Sequence, residues 1–539
     1  MVEPKQEILF TVEYHAPLSP RMPPRTRYVI PAVLAAAAVF AYAYGIFSTT
    51  PSVGLFHDDG VYVVTAKALA EGQGYRIISI PGAPPQTKYP ILFPWLLSLV
   101  WRAFPAFPAN LPMLRAVPVG ACGLWLCASW ALLRRLGASA NAASVALLLT
   151  IAAPLVLFLS TALLSETLFA ALFTTALLVL TELERGGKDD RVLGLCAGLL
   201  VGASLLTRTA GAPAGVAAGL AFMLQRRWMT GFLFATGLML FAAPWWLWVS
   251  RYGSEPILDP FYSAASYQSW NLVFNYAWPE KLAVLGFNVV FASEFGQFWG
   301  LNPAHWLGIL VALVTSGCLV RGLWRNRRSI VVLMIVVYLA TVLLWVFPPQ
   351  RFLVPVLPVL IWFGYVGANQ RWPAAAALAT LLLVSTTPQV LALARGARAT
   401  GTTWYSAAQL LDWRALERQY DWIKAETMPD AVLTGVHDPT HFLFTGRLSL
   451  RPYSFDPLLL YYKAGRKGEN PLGTAEDFRR RLQKLNAGYV IATPRDGVAE
   501  LVTELEHASP GALRLVQGDP STGYAIYRVE NERLALSAQ

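Results

Sequence analysis

The stretch Phe56-His57-Asp58-Asp59-Gly60 holds two adjacent carboxylates just past the first long apolar segment, where a chain leaving a bilayer meets water, a metal or a charged lipid headgroup. A carboxylate so placed can take a proton from a hydroxyl or hold a divalent cation. Adjacent acids ahead of a Gly and an apolar run also make a good helix start, because carboxylates favour the positive end of the helix dipole and cap its free N–H groups. Farther on, Lys88, Ser165-Glu166 and Arg351 each stand at the edge of an apolar run. Taken singly, Lys88 reads as a solvated loop lysine, Glu166 as an interface carboxylate, Arg208 as an interface anchor, and Arg351 after Pro348-Pro349 as a turn and helix start. His437-Asp438 with His441 has a faint metal-ligand spacing, but Pro439 between them argues for a turn rather than one helix face.

The elements that must position these groups follow from hydropathy. The 539-residue chain is 55% hydrophobic and only 14% charged, with a mean hydropathy of +0.45. That composition excludes an ordinary soluble globule and predicts a polytopic α-helical membrane protein. The net charge of +11 is scattered in short Lys/Arg groups at the ends of apolar runs. Such a distribution sets topology and does not make the single basic stripe of a nucleic-acid binder. Cys122, Cys127, Cys196 and Cys318 all fall inside apolar runs, so neither a disulfide framework nor a zinc site is expected.

Residues 1–27 are polar and end in Arg21, Arg25 and Arg27, ahead of the apolar run 28–47. These arginines predict a cytoplasmic N-terminal segment followed by an uncleaved anchor, with a cleaved signal peptide as the rival reading. Residues 48–110 then form a first exterior loop. Within it Val61, Val64, Ala68 and Leu69 against Lys67 and Glu71 predict a surface-lying amphipathic helix, ended by Gly72-Gln73-Gly74. The stretch 91–104, broken by Pro94 and Arg102, is short for a span and is assigned to the interface or a re-entrant piece. With that assignment Arg134-Arg135, Lys188 with Arg191, Arg226-Arg227, the group Arg321, Arg325, Arg327 and Arg328, and Arg371 all fall on the N-terminal side of the membrane, for about eleven spans between 28 and 394. A second exterior loop, 250–304, is rich in Trp, Tyr and Asn, which suits an interfacial belt or a sugar platform. Beyond residue 395 the composition turns globular. Helices over 413–426 and 478–485 and strands over 431–435, 489–492 and 524–529 predict a small α/β exterior domain spanning 395–539.

The residues that carry the chemistry also carry a resemblance. Asp58-Asp59-Gly60-Val61-Tyr62 through Ala66, Ala68-Leu69, Gly72, Gly74 and Tyr75, then Lys88-Tyr89-Pro90-Ile91-Leu92-Phe93-Pro94, Leu164-Ser165-Glu166, and Arg351-Phe352-Leu353-Val354-Pro355 with Pro358 resemble the GT-C glycosyltransferases, in particular the branch of bacterial aminoarabinose transferase and protein O-mannosyltransferase. The similarity runs to about residue 370, and its most specific part is the first exterior loop. Two positions depart from the family pattern: Asp59 stands where Glu is frequent, and Pro90-Ile91 where two prolines are usual.

The resemblance implies an inverting transfer of a sugar from a polyprenyl-phosphate donor to a lipid, glycan or protein acceptor on the exterior face of the inner membrane. It implies Asp58 as base or metal-associated carboxylate, Asp59 beside it, Glu166 as the second acidic site, Lys88 at the donor phosphate, and a divalent cation between Asp58 and Glu166 as an open alternative. The physical logic agrees. A leaving phosphate gains negative charge that Lys88, Arg351 or a cation would stabilise, and a carboxylate base is worth about 10² to 10⁴ in rate. Two other classes stay in view: a transporter or flippase of lipid-linked or small anionic substrates that couples ions through the acid pair, and a scaffold binding partners through its exterior domain. Carboxylates kept out of span interiors count against the transporter.

Overall fold

The computed structural model describes residues 26–186, 190–255, 257–259, 262, 277–302, 304–404, 410–453 and 472–536. Arg21 and Arg25, Lys188, and most of the aromatic stretch expected in the second loop lie outside the described residues.

Among the described residues, six helices are long and apolar enough to cross a membrane: Leu111–Arg135, Glu166–Glu184, Trp228–Tyr252, Trp306–Arg325, Gln350–Gly367 and Trp372–Thr400. Ala140–Ala152 and Pro154–Thr161 would make a seventh, bent by 73°. The bend falls where Pro154 supplies no backbone N–H to continue the first helix. Shorter apolar helices cover Ala36–Thr49, Leu92–Ala103, Thr209–Leu224 and Ile330–Leu343. The protein is therefore a multi-pass membrane protein, and the expected eleven or so spans resolve into fewer full-length helices and several short ones. Counting apolar runs does not reveal where a run breaks, as at Pro154 or at Arg208, whose extended backbone separates Asp190–Leu205 from the next helix. Within the stretch read as a second loop, Trp278–Ser293 is itself a helix.

Helix Glu166–Glu184 lies at the centre, packed against Leu111–Arg135 and Asp190–Leu205, and two-thirds of its apolar window is buried. Helices Trp306–Arg325 and Leu357–Gly367 approach so closely that a Cβ on Gly322 would strike the Phe363 carbonyl, and one on Gly367 the Cys318 carbonyl. Without a hydrophobic drive between helices in lipid, such small-residue seams let backbones meet.

Helix Leu92–Ala103, at 12 residues, is too short to span, as its sequence implied. The helix after the acid pair, Asp58–Ala70, differs from expectation: from Asp58 through Ala66 every residue is buried. It is not a surface helix because Leu92–Ala103 and a helix of the C-terminal domain both pack on it.

The C-terminal domain is a five-stranded mixed sheet. Its strands are β1 (Leu433–Thr434), β2 (Ser449–Leu450), β3 (Tyr489–Ala492), β4 (Leu513–Asp519) and β5 (Tyr524–Val529), in the order β2-β1-β3-β5-β4. β1 pairs in parallel with β2 and β3, whereas β5 is antiparallel to both β3 and β4. Helix Trp413–Glu426 buries Trp413, Leu416, Tyr420 and Ile423 against Leu433, Ile491 and Ile526 of the sheet. Helix Asp438–Thr445 follows β1 and is the part that reaches the helical domain. Pro439 does not break it; a proline at the first positions of a helix costs no hydrogen bond.

Replacing Gly322 by Val is expected to cost about 1–3 kcal/mol of overpacking. A lower thermal midpoint and a smaller monodisperse fraction in detergent would show it, whereas wild-type values would mean that the two helices separate freely.

Candidate active site

The acid pair sits in a tightly wound loop. The His57 amide donates to the Gly54 carbonyl at 3.1 Å and the Asp58 amide to the Phe56 carbonyl at 3.0 Å. His57 therefore stands at φ 71°, ψ −59°, the centre of a three-residue γ-turn of the strained hand. A non-glycine residue so held costs about 1–3 kcal/mol and persists only when its surroundings impose it.

The two carboxylates part company here. Asp59 folds back on the loop and accepts the Gly54 amide at 2.7 Å and the Phe56 amide at 3.1 Å. Burial, opposed by these backbone donors and joined by the charge of Asp58, pushes its pKa up to about 6. Asp58 faces the helical bundle, where Oδ1 accepts the Tyr89 hydroxyl at 2.6 Å and Oδ2 accepts Arg351 Nη1 at 2.8 Å. Burial alone would raise its pKa, but the charge of Arg351, with the Tyr89 hydrogen bond and the nearby His57 ring, holds it well below the usual carboxylate range.

Arg351 also donates through Nε to Glu166 Oε1. The same oxygen accepts Arg208 Nη1 at 2.7 Å, and Arg208 reaches Ser165 Oγ at 3.4 Å, which pairs with Tyr62 at 3.0 Å. Glu166 is the first residue of its helix and is 1% exposed. A negative charge there is favoured by the helix dipole, but its burial needs cationic partners. The result is an alternating chain of Asp58, Arg351, Glu166 and Arg208, with the Arg351 guanidinium 4.6 Å from the Phe56 ring centroid.

Lys88 belongs to the same neighbourhood. Gln86 Oε1 accepts the amides of Lys88 at 2.9 Å and Tyr89 at 3.3 Å. Trp248 and Tyr75 fix the turn further by bonding the carbonyls of Gln86 and Tyr89. The Lys88 ammonium lies 5.4 Å from the Tyr89 ring centroid. It is not a solvated loop lysine: burial pushes its pKa down to about 7, against the opposing charge of Asp58.

A third segment closes the site from the C-terminal domain. His57 Nε2 lies 2.9 Å from the Tyr262 hydroxyl and 3.2 Å from Asp438 Oδ1, and Tyr262 donates to Asp438 Oδ2. Arg451 Nε is 3.8 Å from Asp438 Oδ1, and Arg481 pairs with Asp259 at 2.6 Å. Burial pushes the pKa values of His437 and His441 down to about 4 and about 3.

Asp58, Glu166 and Arg351 thus share one ion chain, with Lys88 and Asp59 beside it. Sequence reasoning did not single out the hydroxyl of Tyr89, the ion pair of Arg208, or the roles of His57 and Tyr262, and it noted Asp438 only within a faint metal-ligand spacing. Arg208 carried a signal, since an ionisable side chain at the end of an apolar run implies a partner. Between Asp58 and Glu166 a guanidinium now stands where a divalent cation would have to bind. No group of three or more His, Cys, Asp or Glu side chains that could hold a metal exists among the described residues. The donor set as arranged suits Arg351 and not a metal.

Away from these charges, a cavity of about 370 Å³ opens between helices Ala140–Ala152, Trp306–Arg325, Leu357–Gly367 and Trp372–Thr400, with Leu149, Trp299, Val314, Leu360 and Leu378 in its wall. Its lining suits a hydrocarbon chain rather than a headgroup.

The whole arrangement, a helical bundle with charged groups gathered under a small mixed-sheet domain, shares its fold with the solved structures of ArnT and of an archaeal oligosaccharyltransferase. The chain is similar over 93% of its length to ArnT from Cupriavidus metallidurans with undecaprenyl phosphate bound, covering 98% of that protein at 15% identity and a TM-score of 0.56. It is also similar to the oligosaccharyltransferase of Archaeoglobus fulgidus, over 94% of this chain and 75% of that one, at 14% identity and a TM-score of 0.53. The same archaeal enzyme, AglB, in complex with an inhibitory peptide and a dolichol-phosphate, gives 13% identity and a TM-score of 0.52. No protein-family model and no curated protein sequence matches the chain.

Replacing Arg351 by Met should cost about 3–5 kcal/mol, because it leaves the buried Asp58 without its arginine and Glu166 with Arg208 alone. In an Asp58→Asn/Glu166→Gln background the same change should cost much less. Equal losses of thermal midpoint in both backgrounds would show that the guanidinium is not shared.

Proposed function

We infer that the protein is an inverting glycosyltransferase that moves a sugar from a polyprenyl-phosphate donor to a lipid, glycan or protein hydroxyl on the exterior face of the membrane. The observation that carries the reading is the partly buried Arg351 guanidinium, shared by Asp58 and Glu166 in a fold similar to that of ArnT and AglB. The apolar cavity would take part of the polyprenyl chain.

In this reading the acceptor oxygen attacks the anomeric carbon, the bond from that carbon to the phosphate oxygen breaks, and polyprenyl phosphate leaves with its electron pair. Asp58 takes the acceptor proton. While Arg351 neutralises it, Asp58 is a weak base, since proton affinity and basicity fall together. A donor phosphate draws the guanidinium toward itself, which raises the proton affinity of Asp58 as the substrate arrives. Glu166, itself held by Arg208, tethers Arg351 while it shifts. Lys88 supplies a second positive charge for the leaving phosphate.

The decisive experiment is turnover of polyprenyl-phosphate sugars by purified wild type and Asp58→Asn. Wild-type transfer, reduced about 10²- to 10⁴-fold in the variant, is expected; undiminished transfer would remove Asp58 as the base. Substrate flux in vesicles without any sugar transfer would favour a transporter instead.

Lys88 gives a pH signature whose sign is fixed. Below pH 7 it is an ammonium and meets the phosphate directly; above, binding must first take up a proton. Donor affinity should therefore fall by up to about tenfold per pH unit above 7. In Lys88→Met the affinity should be weaker and flat across that range; an unchanged slope would place the titrating group elsewhere.

A further inference from the structure

His57 is the last residue before the acid that faces the bundle, and its backbone is in a conformation that an L side chain rarely adopts. Nothing within its own loop explains this, because a Gly there would make the same γ-turn without cost. The side chain supplies the reason: its ring is held from the far side by Tyr262 and by Asp438 of the C-terminal domain, while Nδ1 stands 4.0 Å from Asp58 Oδ1.

Two further contacts fasten the loop and the start of its helix, and a third the segment after Leu92–Ala103, to the same helix, Asp438–Thr445. Thr440 Oγ1 donates to the Val53 carbonyl at 3.1 Å. Pro439 packs so closely on Gly60 that a Cβ there would lie 2.7 Å from the proline Cβ. The Phe444 ring meets Phe107 edge-on at 5.0 Å between centroids. Asp438 is itself fully buried and directly follows the residues at the carboxyl end of β1, the end of parallel strands where α/β sheets present their functional groups.

We propose that the C-terminal domain completes the active site, with His57 and Asp438 as positioning residues that hold the strained γ-turn and so aim Asp58. The assignment rests on the transferase reading above, but its physical content is separate: the domain's helix imposes a backbone conformation 380 residues earlier in the chain. Asp438 accepts from Tyr262 and stands 3.2 Å from the imidazole, Arg451 balances its charge, and the imidazole ring becomes a strut between the domain and the loop. If the strut is lost, the turn relaxes and Asp58 leaves the position that Tyr89 and Arg351 define.

The test uses the full-length protein in detergent as wild type, Asp438→Asn, His57→Gly and the double variant, with a polyprenyl-phosphate sugar as substrate and amide hydrogen exchange of residues 54–60 as a second readout. Asp438→Asn should lower kcat about 10- to 100-fold, the cost of a misplaced catalytic group, with donor KM little changed and with faster exchange in the loop. His57→Gly should rescue kcat in the Asp438→Asn background, because glycine takes the turn unaided. Wild-type kcat and wild-type exchange in Asp438→Asn would overturn the proposal and leave the transferase reading standing. A fall in kcat that glycine does not restore would also overturn it, in favour of an imidazole that acts chemically. If wild type transfers no sugar while exchange still rises in Asp438→Asn, the transferase reading fails and the strut stands.

Discussion

A guanidinium shared by two buried carboxylates is the constraint on which the rest of this protein depends. Desolvating Arg351, Asp58 and Glu166 together costs several kcal/mol for each charge unless their geometry is good and their remaining donors and acceptors are met. Each neighbouring element can be understood as meeting that requirement. The start of the central helix favours the charge of Glu166, Arg208 balances it from the next hairpin, and Tyr89 completes Asp58 from a turn tied down by Gln86 and Trp248. The helices matter to the chemistry chiefly because they bring residues 58, 166, 208 and 351 to one place.

The same constraint explains why the adjacent acids have different work. Had both Asp58 and Asp59 faced the ion chain, two like charges would share one cation and one of them would be forced neutral. The γ-turn at His57 and the start of the helix send them apart, one to the loop's own amides and one to Arg351. Asp59 thereby stabilises the conformation that presents Asp58. An acid this deeply paired is not a strong base at rest, so the proposed chemistry relies on the arriving phosphate to loosen the pair. The lowered pKa of Lys88 belongs to the same balance: burial disfavours its charge, and the nearby Arg451 adds repulsion.

Much of this was legible in residue types and spacing. The apolar runs, the short segment 91–104, the globular tail and three of its secondary elements, Trp413–Glu426, Tyr489–Ala492 and Tyr524–Val529, follow from periodicity and length alone. Asp58, Glu166, Lys88 and Arg351 were all identifiable as ionisable groups at the edges of apolar runs. Lost to the sequence were pairings across long separations. That Arg208 meets Glu166 depends on the helix packing, and that Lys88 is buried depends on a turn held by Trp248, 160 residues away. The helix Asp58–Ala70 has the polar residues of a surface helix, and it is interior because Leu92–Ala103 and the C-terminal domain both rest on it. Pro439 misled for a local reason, because a proline reads as a breaker although it is equally at home in a helix's first turn.

The strain at His57 bears on how such a site is kept accurate. A loop at the edge of a membrane domain has few packing partners of its own, and its lowest-energy backbone is not the one that aims a carboxylate at a guanidinium. Two solutions exist: a glycine, which would allow the turn without enforcing it, or a side chain that reaches a rigid body and is pulled into place. This chain has the second. A glycine would leave the turn free to open whenever the substrate departs, whereas a ring braced on Asp438 and Tyr262 keeps Asp58 in register through the whole cycle, while Arg351 moves between carboxylate and phosphate. The mobile partner in the proposed reaction is therefore the cation, and the fixed one is the acid.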